Sequence, residues 1–117
     1  MYTVNEEDLT PQAVGEKGEL WHLVAPWVCD VSRYWLGVLV LAPGGSTVAK
    51  ASEGREGCHY TISGTGLEVV GGVEIQTRPG TCIYIAPGEM HQVINTGEVP
   101  LKVLSLGSPP MPKPANL

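Results

Sequence analysis

Residues 80–95 read Gly-Thr-Cys-Ile-Tyr-Ile-Ala-Pro-Gly-Glu-Met-His-Gln-Val-Ile-Asn, and this passage decides the fold. Residues 81–85 are β-branched, aromatic or apolar and predict a strand. Ala86-Pro87-Gly88 predicts a turn, because Pro fixes φ and Gly permits positive φ. Residues 92–94 predict a second short strand with His91 at its mouth. A titratable imidazole just past a rigid turn is one that a sheet can present to a cavity. A plain hairpin carrying an exposed His fits the same letters.

Working outward, residues 67–70 and 73–77 alternate and are joined by Gly71-Gly72, which suits a two-residue primed hairpin turn. Residues 58–62 predict a strand running into the turn Gly64-Thr65-Gly66. Residues 33–41 are almost continuously apolar, so both faces of that strand are expected to be covered. Tyr34 and Trp35 point to opposite faces of it, and packing is the expected role of each. Residues 19–24 predict the first strand, with His22 on the face opposite Trp21 and Leu23, read as a structural His. Residues 101–106 predict the last strand, and Pro43-Gly44-Gly45 a turn. Residues 50–57 are hydrophilic and loop-like. The division expected is an acidic N-terminal arm over residues 1–18, a barrel over 19–108 and a tail over 109–117. Within the arm, residues 4–9 suit one turn of helix. Eight or more short strands separated by turns predict an all-β, closed antiparallel barrel or jelly roll.

Composition narrows the function classes. With 117 residues, one domain with a real core is expected. Fifteen Gly and ten Pro fit many tight turns. A net charge of −5 argues against nucleic-acid binding, since little would neutralise phosphates. No apolar run approaches the ~20 residues that span a bilayer. Glu6, Glu7 and Asp8 stand where a secretory signal wants basic and then apolar residues, so a cytoplasmic location is expected. Cys29, Cys58 and Cys82 are odd in number and widely spaced, and are read as free thiols.

The opening passage resembles the second motif of the cupin superfamily: Gly, five residues, Pro-x-Gly, two residues, His, three residues, Asn. Gly80, Gly88, His91 and Asn95 fall in place. Ala86 stands where the family's Pro usually is, with Pro87 beside it. Residues 43–47 resemble the loop that opens the first cupin motif, and residues 60–66 the strand ending in Gly-x-Gly. The resemblance spans roughly residues 38–109 and implies a double-sheet jelly roll with a site inside one mouth. It also suggests that the N-terminal segment lies across a partner, and a homodimer is expected.

In most of that family the first motif supplies His-x-His and a Glu, and the second motif one more His. Such a set holds Fe, Mn, Ni or Zn as a divalent ion. Anchored on Ser63-Gly64, the two His positions fall here on Ala51 and Glu53, and the Glu on Gly57 or the neighbouring Glu56. His91 alone remains. Three readings are open. A rebuilt metal set uses Glu53, His59 and His91. A metal-free pocket uses His91 as acid or base, with His59, Tyr60, Tyr84, Cys58, Cys82 or Glu53 as partners. In the third, the barrel binds a small molecule without catalysis. Period two lets either His59 or the Cys58–Tyr60 pair face inward, so the direction of His59 discriminates among them. Metal-independent sugar epimerases and small polyketide cyclases are the family precedents. They imply an isomerase, lyase or cyclase step on a small carbonyl-bearing metabolite.

Overall fold

The computed structural model describes residues 1–117. A single 3-10 turn, Glu6–Asp8, opens the chain, and its first N–H groups are met by Asn5, whose Oδ1 accepts from Glu7 N at 2.9 Å. Nine strands follow: β1 Gln12–Val14, β2 Glu16–Val24, β3 Trp35–Ser46, β4 Glu56–Ser63, β5 Gly66–Val70, β6 Val73–Thr77, β7 Cys82–Ile85, β8 His91–Ile94 and β9 Leu101–Ser108. All strand pairs are antiparallel. The order across the sheet is β6-β5-β8-β3-β9-β4-β7, with β2 pairing β3 and β1 pairing β2.

The sheet is rolled. Val70 of β5 packs with Ile83 and Ile85 of β7, although those strands lie near opposite ends of the strand order. Curling brings them face to face. A second cluster of buried side chains is Leu39, Leu41, Val93, Leu101 and Val103. Leu41 and Leu101 are fully buried, and each such side chain contributes about 2 kcal/mol of apolar burial. The fold is the expected all-β jelly roll.

Two expectations change. β3 does not stop at residue 41 but runs to Ser46, through Pro43-Gly44-Gly45. Gly44, at φ +79°, lets the strand bend away from β9, which it pairs through Leu41, to reach β8 at Ser46↔Ile94. Residues 12–14 and 16–18, placed in the arm, lie in β1 and β2, which pair with each other within this chain. The tail forms no strand, yet it folds back: Asn116 accepts from Gln12 Nε2 at 2.6 Å.

Asn95 explains the last position of the opening passage. It is buried, donates to the carbonyls of Leu41 and Val99 at 2.9 Å each, and accepts from Gly97 N at 2.9 Å. It therefore pins the β8–β9 loop to β3. No helix is long and apolar enough to cross a membrane.

Candidate functional site

Alternation along β4 decides the site. Thr61 is buried inside, and Gly57 and His59 share its face, while Cys58, Tyr60 and Ile62 point outward. His59 thus projects into the interior. His91, the first residue of β8, approaches from the other side, because β4 and β8 are not sheet neighbours and face each other only through the curl. The two rings meet edge to face with centroids 5.8 Å apart.

Behind His59 stands Glu68 of β5, 1% exposed, with Oε1 2.6 Å from His59 Nδ1. With the carboxylate ionised, Nδ1–H is the donor and Nε2 is left free. His91 has the same polarity by a different route. Its Nδ1–H donates to the Glu89 carbonyl at 3.1 Å, again leaving Nε2 free. Burial pushes His91 below the ordinary imidazole range. The Glu89 carbonyl works against this, and the charges of His59 and Lys50 push the same way as burial. His91 is accordingly neutral, with a basic nitrogen, at physiological pH.

The pair lines a cavity of about 350 Å³, within the size range of small-molecule sites. Trp35, Leu39, Ile85 and Val93 form its apolar walls, and Lys50 and Arg55 add charge. The N-terminal strands and the tail complete the rim through Val14 and Met111. Trp35 is held by His22: indole Nε1–H donates to Nδ1 at 2.9 Å, and His22 Nε2–H donates to Gln12 Oε1 at 2.7 Å. His22 is buried and structural, as expected.

The cupin domain family model matches residues 37–107. This chain belongs to the cupin family. It is 31% identical over 104 residues to the uncharacterized protein MJ1618 of Methanocaldococcus jannaschii, an alignment covering 89% of this chain and 83% of that one. It is 28% identical over 92 residues to the tetracenomycin polyketide synthase protein TcmJ of Streptomyces glaucescens, covering 79% of this chain and 62% of the relative. Among solved structures, a predicted oxalate decarboxylase of Thermotoga maritima superposes with a TM-score of 0.82 at 22% identity, over 92% of this chain and 98% of that one. The polyketide cyclase RemF of Streptomyces resistomycificus gives 0.79 at 20% identity, over 99% and 89%. These superpositions establish the jelly-roll fold.

Within this cupin the anticipated residues separate. His59 and His91 converge. Glu53 does not join them: it is exposed and lies against the Pro87-Gly88 turn, where a Cβ on Gly88 would sit 3.3 Å from its carboxylate oxygens. No three His, Cys, Asp or Glu side chains come together in a group able to hold a metal ion. The Glu53–His59–His91 set therefore does not fit a divalent ion, and no step below runs through one. Tyr60 and Tyr84 are 44% and 60% exposed and face outward, because they share the parity of Cys58 and Cys82. The Tyr84 hydroxyl donates to Glu56 at 3.1 Å, and that bond raises its pKa. Cys58 and Cys82 are free thiols on the same outer face; burial, and then Cys82, raise Cys58, which opposes nucleophilic use. Sequence reading missed Lys50 and Arg55, which lie in a loop, and also Glu68. The one signal for Glu68 is parity: it shares a strand face with Val70, so a charge falls in an otherwise inward row.

Proposed function

We propose that this cupin catalyses proton transfer next to a carbonyl, in an isomerase, lyase or cyclase step on a small metabolite. The observation that carries the reading is the convergence of His59 and His91 on one apolar cavity, with buried Glu68 behind only one of them. Environments that set two titratable groups apart assign an acid and a base. His91, neutral and desolvated, is the base: its Nε2 takes a proton from the carbon beside the carbonyl, and the C–H electron pair moves into the enolate. His59 acts as the acid once it has taken up a second proton on Nε2: Glu68 holds Nδ1–H and balances the charge of that ring, and the Nε2 proton then passes to the enolate oxygen. Apolar walls keep water from competing for the enolate.

Two of the relatives carry names of this class, and neither fixes the substrate. One curated relative is a polyketide synthase protein, and a structural neighbour from Silicibacter pomeroyi is described as a sugar phosphate isomerase. The exposed Tyr60, Tyr84 and Leu106, contiguous across β4, β7 and β9, are on this reading the contact of a homodimer.

The test uses 1-tetralone, a two-ring ketone, in D2O, with deuterium entry at C2 followed by NMR. Wild-type protein should accelerate exchange over buffer, and His91→Gln should remove about 10²-fold or more of that rate. Acceleration should survive EDTA. No acceleration, or acceleration unchanged in His91→Gln, would leave a binding protein without catalysis. Loss on chelation would return a metal to the site.

A further inference from the structure

Two cations in the cavity neither give nor take the transferred proton. Lys50 forms an isolated antiparallel bridge with His91: each N–H donates to the other's carbonyl, at 3.1 and 2.8 Å. Directly opposed residues project to the same side, so the Lys50 side chain stands beside the imidazole. Arg55 lines the same cavity and is fixed by its Nε–H, which donates to the Pro109 carbonyl at 2.8 Å, leaving its terminal NH2 groups. A terminal nitrogen packs over Gly107, where a Cβ would approach it to 2.7 Å.

Neither cation has a carboxylate partner. The chain's ion pairs are His59–Glu68 and Lys102–Glu6. Twelve acidic residues outnumber seven basic ones, so two adjacent, unpaired cations in one cavity run against the charge of the whole molecule. The third charged group lining the cavity, Glu56, has its carboxylate engaged by Tyr84. Lys50 is exposed and Arg55 half-buried; the atoms packed around them lower the pKa of both, Arg55 lowers Lys50 further, and an anion arriving between them would oppose that shift.

We infer that Lys50 and Arg55 form an oxyanion subsite, and that the substrate is an acid: an apolar body bearing a carboxylate or phosphate, held with its reactive carbon at His91. This rests on the cavity being the substrate site of the proposed function, but the two fail separately.

The probes are 2-naphthoate, 2-naphthyl phosphate and neutral 2-naphthamide, with binding measured by calorimetry at low salt. At least one anion should bind about tenfold tighter than the amide, and the better of the two tells carboxylate from phosphate. Lys50→Met and Arg55→Met should each erase most of that preference while amide binding stays. Added salt should weaken the anions and spare the amide, which tests wild-type protein even where a variant misfolds. Equal binding of all three probes, no binding at millimolar concentration, or a preference that persists in both folded variants or is indifferent to salt overturns the subsite. His91→Gln should keep the anion preference while losing exchange. Anion preference without any exchange in wild-type protein removes the catalytic reading and leaves the subsite standing.

Discussion

Glu68 Oε1 lies 2.6 Å from His59 Nδ1, and the carboxylate is 1% exposed. No cation other than this ring pairs with it. The bond joins β5 to β4, which share no ladder, so it ties two parts of the rolled sheet across the interior.

Removing one partner therefore strands a buried charge. His59→Ala should cost about 3 kcal/mol, because Glu68 must be buried unpaired or take up a proton. Glu68→Gln keeps a hydrogen-bonding group and should cost less. In urea unfolding, the double variant His59→Ala/Glu68→Gln should be more stable than the sum of the single losses allows. Strict additivity would mean that the two groups do not interact in solution.

His22 gives the fold a pH limit. Its Nδ1 accepts from Trp35 and its Nε2–H donates to Gln12, so the neutral ring is already fully used. Burial lowers its folded pKa below the ordinary value of 6.5. The unfolded chain then binds the proton more readily. Stability from this group is present above about pH 6.5 and is lost as pH falls through the lower folded value. His91, also lowered, adds in the same direction. His22→Gln should lower stability at neutral pH and flatten its decline below about pH 6.5. An unchanged pH slope would remove His22 from the account.

The outer face makes a prediction about assembly. Tyr60 and Tyr84 are large, exposed and joined through β4–β7 pairing, with Leu106 beside them on β9. Sedimentation should find a dimer that Tyr60→Glu converts to monomer, with 1-tetralone exchange retained because Tyr60 does not line the cavity. A monomeric wild type, or a dimer insensitive to Tyr60→Glu, would place no contact there.

The contrast between what the letters showed and what they hid follows from geometry. Residues 73–77 were legible to the residue, because alternation and a Gly-Gly turn leave one register. β1 was not, since Gln12, Ala13 and Val14 are too few to show a period. The continuation of β3 was hidden because Pro43 and Gly44 punctuate a bend as readily as a turn. His91 was legible from spacing past the Pro-Gly turn. His59 was legible only as one of two parities, which the curl then settled. Glu53 was placed by counting from glycines, and a count through a loop does not set a side chain's direction. Glu68 was hidden because both faces of β5 carry apolar residues, so nothing marked the charged row as the inner one.

The most direct check on the acid–base pair is a two-bond ¹H–¹⁵N spectrum of the imidazoles, recorded across pH. His91 should appear as a neutral ring with its proton on Nδ1 and should titrate below 6.5. His59 should also carry Nδ1–H, and its signals should move in Glu68→Gln while those of His91 hold nearly still. A His91 that titrates above 6.5, or carries its proton on Nε2, would contradict the assignment of that ring as the base.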